Sequence, residues 1–145
     1  MSGDAPSIPG GVWIALVSGV GLEFALGVAS LVVVPTNRPG GWIPARGEDV
    51  YLAHAIIGGL LGFGALLVLL RALREGSLVL LGAAVGAAGL LLGAGGGLLT
   101  VSHSGRPAGI AVMLAGTFVA LFGFLLGLAA QLRDREPQEE GAEPH

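Results

Sequence analysis

Four apolar runs alternate with short polar or Pro- and Gly-rich links along the chain: Gly11–Val34, Tyr51–Leu70, Leu78–Ser102 and Ala108–Gln131. Each has about 20 residues or more, which as a helix rising ~1.5 Å per residue crosses a ~30 Å hydrocarbon core. No Arg or Lys falls inside any run. The pattern predicts an all-α integral membrane protein, a four-helix bundle of up-down-up-down topology, because short links make neighbouring spans antiparallel. Residues 11–132 form the bundle, residues 1–10 an N-terminal tail and residues 133–145 an acidic C-terminal tail. That leaves no room for a second folded domain.

Small residues recur inside the runs at steps of three and four, which keeps each set on one helix face. The first span carries Gly19, Glu23, Gly27 and Ser30, and the second His54, Gly58, Gly62 and Ala65. The third carries Gly82, Gly86, Gly89, Gly93, Gly96, Thr100 and His103; the fourth carries Gly109, Met113, Gly116, Ala120, Gly123 and Gly127. In lipid, small residues mark the protein-facing side, because they let helices approach and pack by dispersion. The polar and ligand-capable residues Glu23, His54 and His103 therefore belong to predicted interior faces, and Met113 with them.

The links refine the picture. Pro35 ends the first span, since it has no N–H to continue a helix. The Pro- and Gly-rich stretch that follows reads as a loop, with Glu48 or Asp49 placed to cap the second helix. Ser77 is a candidate N-cap for the third, and Pro107 falls near the first turn of the fourth. Trp42 and Tyr51 suit the headgroup level on one side of the bilayer and Trp13 that on the other. The tail after Arg133 holds five acids and almost nothing apolar, a composition that cannot build a core, and it is expected to be disordered.

Charge adds orientation. All seven basic residues are Arg, and four of them (Arg71, Arg74, Arg133, Arg135) lie on the side of the termini, against Arg38, Arg46 and Arg106 on the other. This bias favours both termini in the cytoplasm, and the membrane expected is the inner (plasma) membrane. The absence of cysteine excludes disulfides, thiolate-held clusters and thioether-linked haem. No basic cluster points to nucleic acid. The partners expected are the bilayer itself and other membrane-protein subunits or further copies of the chain.

Candidate chemistry follows from those interior polar positions. The start of the second span and the end of the third lie at similar depth, so His54 and His103 approach one another, with Met113 roughly one and a half turns into the fourth span. Two imidazoles, or an imidazole and a thioether, facing across a bundle are the axial ligands of a b-type haem. Arg38, Arg46 and Arg106 are placed to hold its propionates. Against this stands a cofactor-free reading, in which the histidines bond backbone or water and the glycines only bring helices together. A zinc or copper ion on His54 and His103 with Glu48 or Asp49 is a third possibility, without a local His pair to support it. Glu23, near mid-membrane with Thr117 at similar depth, reads either as a proton or ion relay or as a neutral carboxyl bonded to a neighbouring helix. Ser102-His103-Ser104 lacks the base and acid geometry of a hydrolase, and no independent catalytic activity is expected.

At Tyr51-Leu-Ala-His-Ala-Ile-Ile-Gly, together with the His103 end of the third span, the chain resembles small four-helix haem-binding membrane proteins, one half of haem A synthase in particular. In that family each half is a four-helix bundle with histidines at the outer ends of its second and fourth spans and an acid upstream of the first. His54 matches, Glu48 or Asp49 is an imperfect counterpart of the acid, and the fourth span offers Met113 where the family has histidine. The resemblance implies a b-haem-binding accessory subunit of a redox or respiratory membrane complex. A cofactor-free structural subunit and a proton or ion transport module using Glu23 remain the alternatives.

Overall fold

A computed structural model describes residues 8–33, 47–102 and 107–133. Four helices make up nearly all of them: α1 Gly10–Val33, α2 Glu48–Ala72, α3 Ser77–Ser102 and α4 Pro107–Arg133. Their apolar windows have mean hydropathies of 2.0 to 2.3, and each helix is long enough to cross a membrane. The protein is thus a multi-pass, four-helix membrane bundle. α1 packs on α2 and α4, and α3 on α2 and α4, so the helices form a ring in chain order.

The helix starts differ in detail from the sequence expectation. Pro107 opens α4, where a missing N–H costs nothing. Glu48 and Asp49 do not cap α2. The cap position is Gly47, left-handed at φ 73°, and the two acids sit in the first turn against the positive end of the helix dipole. Ser77 likewise lies inside α3 as its first residue rather than capping it.

α3 and α4 are joined backbone to backbone. Gly82 meets Gly127, Gly86 meets Gly123, Gly89 meets Ala120, Gly93 meets Gly116, Gly96 meets Met113 and Thr100 meets Gly109. This fixed antiparallel register runs the length of both helices. Along α3 the steps alternate four, three, four, three, four, a mean of 3.6 residues, the repeat of the helix itself, which keeps one seam facing its partner. A methyl group on most of these glycines would overlap the opposing main chain. Thr100 and Thr117 each turn their hydroxyl onto the carbonyl one turn back, Gly96 and Met113 respectively.

Large side chains pack at one end only. Trp13, Leu16, Val20, Leu61, Ala65, Val68, Val79, Ala83 and Phe124 form a core where α1 begins, α2 ends, α3 begins and α4 ends. Trp13 faces the interior of the bundle. It is fully buried, its ring over Gly127 and tilted against Phe124 with centroids 6.4 Å apart. Ile8 closes this end from below, its N–H donating to Glu75 Oε1 in the α2–α3 turn at 2.6 Å. Most of the largest outward side chains, Val32, Leu60, Leu91, Phe118 and Phe122 among them, are apolar and exposed, as a lipid-facing surface requires.

At the opposite end the described interior contains no large buried apolar side chain. Its contacts are made by Gly27, Gly96 and Gly109 and by three half-buried residues, Glu23, His54 and Met113. One stripe position departs from the pattern: Gly62 faces outward with open space around it, and Leu61 takes the inward place beside Gly19. Of the predicted tails, residues 1–7 and 134–145 lie outside the described residues, as does the link carrying Pro35 and Trp42; residues 8–10 are not a free tail, since Ile8 packs on the core and Gly10 opens α1, and Arg133 closes α4.

Candidate acid–base site between the first and second helices

Two short patterns build the site. On α1, Glu23 and Gly27 are one turn apart; on the antiparallel α2, His54 and Gly58 are one turn apart. Glu23 lies ten residues from the end of α1 and Gly58 ten from the start of α2, so the two are at the same depth, about 15 Å along the helix axis. By the same count Gly27 and His54 share a level about 9 Å in. Each glycine therefore faces the polar side chain of the other helix. A Cβ on Gly58 would come within 2.6 Å of Glu23 Oε1, and one on Gly27 within 3.3 Å of His54 Cε1. An added methyl at Gly58 would displace the Glu23 carboxyl, and one at Gly27 would crowd the His54 ring.

They cross it to meet. Glu23 Oε1 lies 2.9 Å from His54 Nδ1. A carboxyl and an imidazole taken singly into lipid are each costly; in contact, each offsets the other's loss of water. Neither is sealed off, since the side chains keep 18% and 23% of their surface. Glu23 Oε2 is buried with no partner among the described residues, as is Ser30 Oγ further along α1, and His54 Nδ1 makes no hydrogen bond there either, so its approach to Oε1 is an ion-pair contact. Met113 reaches the same place from α4, its Cε within 4 Å of the point where a Gly27 Cβ would stand.

Of the residues singled out in the sequence, the structure gathers Glu23, His54 and Met113 around Gly27. His103, Arg38, Arg46 and Arg106 lie outside the described residues. Glu48 and Asp49 are exposed on the first turn of α2, and no group of three or more His, Asp or Glu suited to a metal ion occurs among the described residues. Thr117, considered above as a neighbour for Glu23, spends its hydroxyl on Met113 O instead. The glycines of α3 and α4 serve helix packing, while the room beside His54 comes from Gly27 and Gly58.

Compared with known proteins, the chain matches no family model, no curated protein and no solved structure. The site must then speak through its own chemistry. Sequence reasoning placed Glu23 and His54 on interior faces but did not pair them. The signal was available in the equal spacing Glu-x-x-x-Gly and His-x-x-x-Gly at matching depths on adjacent antiparallel spans.

Proposed function

We propose that this chain is a small polytopic membrane protein whose working part is the Glu23–His54 pair, exchanging protons within the bilayer as a subunit of a larger redox or respiratory assembly. The observation that carries the reading is the 2.9 Å contact between Glu23 Oε1 and His54 Nδ1 inside a chain whose spans are otherwise almost wholly apolar. The carboxylate stands 2.9 Å from Nδ1 as an ion-pair contact without hydrogen-bond geometry, and a neutral imidazole keeps one ring nitrogen with a lone pair for an incoming proton. The imidazolium so formed is stabilised by the carboxylate beside it and can return the proton through the same atom. Glu23 Oε2, without a partner, supplies a second acceptor at the same depth. Both termini are taken as cytoplasmic on the arginine bias, which puts the pair in the half of the bundle away from the cytoplasm.

The test is proton movement in proteoliposomes containing a pH-sensitive dye. Glu23→Gln keeps the shape and removes the titratable oxygen, and it is expected to abolish flux. Flux retained by Glu23→Gln overturns the reading.

A second reading is favoured by the same contact. A carboxylate on Nδ1 is how ligating imidazoles are commonly oriented, with Nε2 presented to a metal. On that reading His54 is an axial ligand of a b-type haem and Met113, converging on Gly27, the described candidate for the other; the resemblance to one half of haem A synthase points the same way. An absorption spectrum decides it. Protein from haem-replete cells would show a Soret band that His54→Ala shifts or removes; colourless protein ends this second reading.

A further inference from the structure

Three buried polar atoms along α1 and α2 have no hydrogen-bond partner among the described residues: Glu23 Oε2, His54 Nδ1 and Ser30 Oγ. They belong to one end of the bundle. Glu23 lies about 15 Å from the end of α1 and Ser30 about 5 Å, with His54 between them at about 9 Å from the start of α2. Ser30 is three residues beyond Gly27, so it shares the face on which Gly27 meets the His54 ring. Its isolation is informative. Thr100 and Thr117 each close their hydroxyl onto the carbonyl one turn back, and Ser30 does not.

The two directions away from Glu23 differ. Toward the start of α1 come Leu61 over Gly19, then Val20, Leu16 and Trp13, all buried and apolar in contact. Ser18, the one hydroxyl between Trp13 and Glu23 on α1, is exposed on the outer face. That way is also the longer, about 20 Å to the first residue of the helix. Toward the end of α1, no large apolar side chain is buried among the described residues. There 18% of the Glu23 side chain and 23% of the His54 side chain remain open to a molecule the size of water.

We propose that a row of ordered water enters from the end where α1 finishes, passes Ser30 and His54, and stops at Glu23, which opens the pair to one side of the membrane only. Water is the ligand these atoms select. Lipid chains offer neither donor nor acceptor, and polar groups that a protein buries without a partner are those that internal water satisfies. Ser30 Oγ donates and accepts, Glu23 Oε2 accepts, and a neutral His54 supplies one donor and one acceptor. Hydrogen-bonded oxygens stand ~2.8 Å apart, so about three waters bridge the ~10 Å of helix rise between Ser30 and Glu23. Past Glu23 a water would meet only hydrocarbon, and the row ends. As a hydration site the row rests on geometry alone; as a proton route it rests on the proton-exchange reading above, and it gives that exchange a side.

The test is water-edited solid-state NMR of the full chain in bilayers of deuterated lipid, which times polarisation transfer from water to each carbon. Transfer to Glu23 Cδ, His54 Cε1 and Ser30 Cβ is expected to run several-fold faster than to Val20 and Ala65, which lie about 15 Å and 10 Å from the opposite end. Ser30→Ala is expected to slow transfer to Glu23 by about twofold or more, since one hydrogen bond is lost from the row. The chain has no cysteine, so Ser30→Cys provides a single thiol. A membrane-impermeant methanethiosulfonate should modify it from one side only, and should modify Ser77→Cys, exposed at the start of α3, only from the other. Transfer to Glu23 as slow as to Val20 overturns the proposal; proton movement that still depends on Glu23 would leave the proton-exchange reading standing. Fast transfer to Val20 and Ala65, unchanged transfer in Ser30→Ala, or modification of Ser30→Cys from both sides overturns it as well. Fast, one-sided hydration together with proton movement retained by Glu23→Gln supports the water row and overturns the proton-exchange reading.

Discussion

Replacing Gly82 by alanine tests the account of how α3 and α4 are held. Gly82 faces Gly127 across the seam, and an added Cβ would stand 2.5 Å from Gly127 N, 2.6 Å from its Cα and 2.9 Å from Gly123 O. Those are main-chain atoms of a packed helix, so no side chain can swing aside. Ordinary contact begins near 3.4 Å, and the helices must part locally by roughly 1 Å. A gap of ~0.5–1 Å forfeits about a quarter to a half of each dispersion contact that opens. Overpacking of this kind costs about 1–3 kcal/mol. Alanine returns about 0.5–1 kcal/mol through its better helix propensity, leaving a net loss of about 0–2.5 kcal/mol, centred on about 1 kcal/mol. Gly95, on the same helix, has open space around it. Gly95→Ala should then be neutral or stabilising by up to ~1 kcal/mol. The assay is reversible unfolding in mixed detergent–SDS micelles, followed by far-ultraviolet circular dichroism. Equal shifts of the two variants in one direction would refute backbone-to-backbone packing at Gly82.

Two further outcomes follow from the asymmetric packing. Trp13→Ala removes the largest buried ring from the one end that holds a core, and should destabilise the bundle by about 3–5 kcal/mol in the same unfolding assay; a loss under ~1 kcal/mol would place the core elsewhere. Glu75→Ala removes the acceptor for the Ile8 N–H and should cost about 1 kcal/mol. It should also raise the amide exchange of Ile8 without affecting that of α3, and unchanged Ile8 exchange would show that this contact does not hold the segment.

What local pattern encodes can be judged residue by residue. The four spans were legible to within a few residues, because about 20 uninterrupted apolar residues have few other ways to satisfy their backbone than as membrane helices. The inward faces of α3 and α4 were legible as well, since small residues at alternating four and three steps define one seam. Capping was not: Gly47 could end the loop left-handed, and this displaced Glu48 and Asp49 into the first turn. The burial of Trp13 was not legible, because the floor of its pocket is Gly127, more than a hundred residues away in the chain.

The site follows the same division. That Glu23 and His54 face inward is a property of each helix alone, read from periodicity and from the cost of ionisable groups in lipid. That they touch depends on the relative height and rotation of α1 and α2, which no periodicity within either helix contains. The decisive terms are long-range: Glu23 finds its bay at Gly58, His54 finds its bay at Gly27, and both fits hold at one antiparallel register. Each chain segment dictates what it must hide from lipid, while the packing of whole helices chooses which hidden groups meet.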